Sequence, residues 1–100
     1  MERTLEQIID NLNRIDDSMT ICASRSVEWS PLSKAELCTS DQVNRECKLP
    51  YFLEVAVAKN VLRAWSFARG GSVPSLAKKC EALIYYAEND AYILPEHERH

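Results

Sequence analysis

A chain of 100 residues, 46% hydrophobic and 27% charged with a net charge of -3, has the size and composition of one globular domain with one modest core. Two glycines and four prolines are too few for a low-complexity chain. No run approaches the roughly 18 apolar residues of a membrane-spanning helix, and an acidic total works against sequence-independent binding to a phosphate backbone.

Met1 to Glu6 carries neither a basic leader nor an apolar signal core, which predicts a cytoplasmic protein with one globular domain over 1–94 and a mobile charged tail over 95–100. Leu5, Ile8, Ile9, Leu12 and Ile15 recur at the spacing of one helical face, and Thr4 with Gln7 fits a capping box. A helix is expected over about 4–15, ended by Asp16-Asp17-Ser18, whose side chains favour turns. Met19 to Ser24 alternates with period two and reads as a strand. In 33–39, Ala35, Leu37 and Thr39 alternate as a strand would, yet Ser30-Pro31 and Ser33-x-x-Glu36 are both helix starts, so both readings stand. Ser40 to Pro50 is polar and reads as a surface loop.

Tyr51, Leu53, Val55 and Val57 begin a strand whose faces are largely apolar, after which Ala58, Val61, Leu62, Trp65 and Ala68 return to helical spacing. Gly70-Gly71 permits a tight reversal. Pro74 suits a first helical turn, and Leu76, Cys80, Leu83, Ile84 and Ala87 form an apolar stripe that predicts a helix over about 74–88, with Asn89 as its terminator. The expected fold is α+β, a three-stranded antiparallel sheet covered by three helices. The alternative is an all-α four-helix bundle, in which 30–38 and the whole of 51–69 are helical.

At Tyr51-Phe52-Leu53-Glu54-Val55 with Val57-Ala58, and again from Leu83 to Ala91, the chain resembles a group of small bacterial proteins of unassigned function. The likeness covers roughly the C-terminal half. In that group the region matching Thr20 to Ala23 is strand-like, which implies the mixed fold, and no activity or site residue comes with it.

Cys22, Cys38, Cys47 and Cys80 are not in the close pairs that structural zinc prefers, so buried thiols are expected ahead of disulfides or a metal, and no cofactor is expected. Glu54 stands in an apolar block, where a buried carboxylate needs a partner or a raised pKa; a small enzyme centred on it is one reading, an edge-strand carboxylate the plainer one. No nucleophile elbow or phosphate-cradling loop is present, and His97 and His100 belong to the solvated tail. Charge is uneven along the chain: 1–20 is acidic, whereas 59–80 holds Lys59, Arg63, Arg69, Lys78 and Lys79 without an acid. Lys59, Arg63, Lys78 and Lys79 on one face of a helical hairpin would suit a nucleic-acid-associated regulator.

The leading expectation is a protein-binding module that inhibits its partner by occlusion, as an immunity protein caps a bacterial toxin or a phage anti-defence protein blocks a nuclease complex. Glu28, Glu36, Asp41 and Glu46 would mimic phosphates toward a basic groove, with Trp29 as the anchor where it does not fold onto the core. Homodimerisation through a sheet edge is compatible with each reading.

Overall fold

The computed structural model describes residues 3–25, 28–39 and 49–94. Within them run strand β1 (Arg3–Thr4), helix α1 (Leu5–Asp10) followed by a 3-10 turn (Leu12–Arg14), strands β2 (Thr20–Ala23), β3 (Lys34–Cys38) and β4 (Tyr51–Glu54), and helices α2 (Val55–Ala68) and α3 (Leu76–Asn89). The strands form one antiparallel sheet in the order β1-β3-β2-β4. The class is the expected α+β, but the sheet has four strands and not three. The added strand β1 pairs Arg3 with Ala35 and Thr4 with Lys34, and at two residues it is too short to show any period. The four-helix alternative is overturned, because Lys34–Cys38 is paired with β1 on one side and β2 on the other, and Tyr51–Glu54 pairs with β2. In 33–39 the period-two pattern outweighed two local helix starts, since a ladder on each edge satisfies backbone groups that a short helix would leave orphaned.

The ladder sets Ile21 opposite Leu37 and Ala23 opposite Ala35 on one face of the sheet. That face meets the helices. Ile21, Ala23 and Ala35 join Ile8 and Ile9 of α1, Val61 and Trp65 of α2 and Leu83 of α3 in a single buried cluster, with α3 packed against both other helices. Thr20, Cys22, Glu36 and Cys38 share the other face. Phe52 breaks the alternation of β4: the register shifts between Ile21 and Cys22, so Phe52 is the extra residue of a bulge and is buried beside its neighbour Leu53. Burying a side chain of that size stabilises by roughly 1.5–3 kcal/mol.

The first helix is shorter than its apolar pattern. Thr4 and Gln7 make the reciprocal capping box, the Thr4 N–H donating to Gln7 Oε1 at 2.9 Å and the Gln7 N–H to Thr4 Oγ1 at 3.2 Å. At the far end Asn11 Nδ2 donates to the Gln7 carbonyl at 3.0 Å, and the Asn11 backbone N–H bonds Ile8 O at 3.1 Å, which tightens the chain into the 3-10 turn. Leu12 stays in the core because a three-residue spacing survives that change. Between α2 and α3, Gly70 and Gly71 have φ of 68° and 88°, and the Gly71 N–H closes onto Ser66 O at 2.7 Å in a Schellman-type turn. Pro74 precedes α3 and lies outside its first turn; Ser75 is the cap, its Oγ accepting from the Lys78 N–H. Asp90, not Asn89, takes the left-handed position that ends α3, while Asn89 Nδ2 donates to Tyr85 O at 2.9 Å.

Candidate functional site

Helix α3 turns part of its apolar surface outward. Leu76, Cys80, Ile84 and Tyr85, with Pro31 before β3 and Ile93 beyond the helix, line a groove of about 750 Å3. The charged residues among its described lining are all carboxylates: Glu6, Glu81 and Glu88. Three local features build it. The Leu5 N–H donates to Ser33 O and the Glu6 N–H to Pro31 O, both at 2.8 Å, which ties the start of α1 to the turn before β3 and fixes one wall. Ala77, Glu81, Ile84 and Glu88 recur every three or four residues on one side of α3. Arg69 reaches from the end of α2, its Nη1 donating to Trp65 O at 3.0 Å and Nη2 to Ile93 O at 3.3 Å, and holds the segment after α3 against the body.

The electrostatics of this groove are negative. Burial pushes the Cys80 thiol up to about 11, and the charges of Glu6 and Asp10 push it the same way. Glu81 Oε1 accepts from Lys78 Nζ at 3.4 Å, an exposed pair three residues apart.

The four basic residues of the regulator reading do not form one face. Lys59, Arg63 and Lys79 line a separate groove of about 280 Å3 between α1, α2 and the start of α3, and Lys78 is not part of it. Lys59 Nζ is held by Asp17 Oδ1 and by Ile15 O, Arg63 Nη1 donates to Asn60 Oδ1 at 2.7 Å, and Asp10 stands in the same wall. Two acids therefore offset three cations.

Trp29 is not a surface anchor. Its side chain is buried in the core, its Nε1–H donates to Ala23 O at 3.1 Å, and its ring meets Phe52 edge-on at 5.1 Å. Glu28 is exposed, and Glu36 is half-buried on β3 with Cys38 Sγ 3.9 Å from its Oε1. Asp41 and Glu46 lie outside the described residues, as do Cys47 and the tail over 95–100. Cys22, Cys38 and Cys80 are buried and not joined in disulfides.

Glu54 is exposed at the cap position before α2 and lines none of these grooves, so the buried carboxylate on which an enzyme reading depended is not there. It sits in an apolar block because that block is where a strand becomes a helix, and the residue at the junction turns outward. The Val55 N–H meanwhile finds Met19 O at 3.0 Å. Among the described residues no group of three or more His, Cys, Asp or Glu is arranged to hold a metal, and no helix is long and apolar enough to cross a membrane.

Glu6, Glu81 and Glu88 were not singled out by sequence reasoning. The available signal was the seven-residue spacing of Glu81 and Glu88 beside an apolar stripe wider than one core contact needs. Comparison of the chain with protein-family models, with curated proteins and with solved structures finds no match.

Proposed function

We propose that the protein is a small binding module that receives a cationic, amphipathic segment of another protein in the groove along α3 and acts on that partner by occlusion. The observation that carries this reading is the pairing of a broad apolar wall with a rim of carboxylates alone among its described charges. Leu76, Ile84 and Tyr85 pack on the core yet stay partly exposed, and covering them is favourable by roughly 25 cal/mol per Å2. The rim supplies selection for positive charge and steers encounter.

The charges of α3 support the same reading. Lys78 and Lys79 stand in its first turn and Glu88 in its last, each opposed to the helix dipole. Glu88 thus does not serve the stability of its own helix. The acidic recognition shifts from Glu28, Glu36, Asp41 and Glu46 to Glu6, Glu81 and Glu88. A toxin or nuclease that grips phosphate carries cationic segments of the required kind, and covering one would block its substrate.

Fluorescence anisotropy with a labelled amphipathic helix of leucine and lysine tests this, against the same peptide with glutamate for lysine and with serine for leucine. The first should bind and both controls should not. A Glu81→Lys/Glu88→Lys double variant should lose about tenfold in affinity without a lower melting temperature. Equal affinity of the double variant and the wild type would overturn the reading.

A further inference from the structure

A third concavity, of about 230 Å3, lies where β4 meets the end of α3, and it is walled by four aromatic residues, Trp29, Tyr51, Phe52 and Tyr86, with Asp90 as the charged residue of its described lining. We propose that this pocket binds an alkylated ammonium ion, the head group shared by choline-like small molecules and by methylated lysine side chains.

Three sources of negative potential converge there. Aromatic faces attract cations through the ring quadrupole, most strongly tryptophan, and an alkylated ammonium suits them because its charge is diffuse and weakly hydrated. Asp90 adds a full negative charge. The last carbonyls of α3 add the negative end of the helix dipole, since Asp90 is the C-cap of that helix.

The walls are set in advance. The Trp29 indole is fixed by its bond to Ala23 O and by its edge contact with Phe52, and Tyr92 packs on Tyr86 with centroids 5.5 Å apart. The Arg25 guanidinium carbon lies 4.5 Å from the Trp29 ring centroid, so one face of that indole already holds a cation and attraction for a ligand falls mainly to Tyr51, Tyr86 and Asp90. Tyr51 stays half exposed at the mouth of the pocket, where burial, then the charge of Glu54, hold its phenol above the ordinary 10.0.

Asp90 itself is costly where it stands. Its φ of 54° is the left-handed region that glycine enters without penalty, and its carboxylate opposes the dipole of the helix it ends. Both costs fall on the residue that gives the pocket its charge, as expected where local strain serves a site. None of these residues lines the groove along α3, so this inference stands apart from the proposed function.

The test is a nuclear magnetic resonance titration of the full-length protein with choline and with its uncharged isostere, in which a tert-butyl group replaces trimethylammonium. Choline should shift the Trp29 indole N–H and the Asp90 amide saturably, with the isostere at least about fivefold weaker. Asp90→Asn and Tyr86→Leu should each weaken choline about five- to tenfold with the fold intact by circular dichroism. A trimethyllysine peptide distinguishes the sources: tighter binding than choline assigns the pocket to a modified protein, weaker binding to a small molecule. Equal binding of choline and isostere to the wild type, or no saturable shift with either choline or the peptide, would overturn the proposal.

Discussion

Cys80 lines the groove along α3, yet its side chain is 1% exposed and its pKa stands at about 11, raised first by burial and then by Glu6 and Asp10. A thiol held protonated is a poor nucleophile, because the thiolate is the reactive form. The unfolded chain releases this proton near 9.0 and the folded chain near 11, so the contribution to stability is whole below 9.0 and is lost as pH rises through about 11. Native protein treated with iodoacetamide near pH 8 should therefore keep Cys80 unmodified by peptide mass analysis, while the urea-unfolded chain is alkylated there. Equal rates in the two states would contradict the burial argument. At this scale the sequence was legible in part. The thiols described are buried as their type suggests, and Trp29 and Glu54 take the plainer of the two environments open to each, the core and an exposed sheet edge. A polar neighbourhood in sequence did not keep the indole out of the core, because the nearest acceptor, Ala23 O, lies on an adjacent strand. An apolar neighbourhood did not bury the carboxylate, because the chain changes from strand to helix at that residue.

Among the elements, α3 is where stability and binding pull apart. Its cap is in order, Ser75 accepting from the Lys78 N–H at 3.3 Å, but its charges run against the peptide dipoles. Glu88→Lys places a cation in the last turn and should stabilise the protein by about 0.3–1 kcal/mol, read as a higher melting temperature. The same change should weaken the leucine–lysine peptide. A variant that loses stability instead would show that Glu88 is held by contacts within the fold, not kept for a ligand. The long apolar stripes made α2 and α3 readable, since each buries one face over four turns. Strand β1 was not readable, because two residues carry no period and its existence depends on Ala35 and Lys34 thirty positions away. The shortening of α1 was also hidden: leucine and isoleucine at three-residue spacing look the same in an α-helix and in a 3-10 turn, and the choice fell to the side chain of Asn11.

Across the whole molecule, the charge separation along the chain does not survive folding. The acidic start and the basic stretch over 59–80 come together: Asp17 pairs with Lys59, and Asp10 shares a groove with Lys59, Arg63 and Lys79. Among the described residues the other groove keeps its carboxylate rim, partly engaged by Lys78 through Glu81. Sequence order could show the quantity of charge but not this cancellation, which depends on the packing of α1 and α2 beside α3. The two grooves should therefore respond differently to salt and to loss of their lysines. Affinity for the leucine–lysine peptide should fall as salt is raised from about 50 to about 300 mM, because exposed charges are screened over a shorter distance. Lys78→Ala should raise that affinity about twofold, since an exposed pair three residues apart is worth about 0.2–0.5 kcal/mol and its loss frees Glu81. Lys79→Ala, on the far groove, should leave it unchanged. Duplex DNA measured over the same salt series should show no saturable binding; tight DNA binding abolished by Lys79→Ala would instead make the basic groove the working surface and the acidic one incidental.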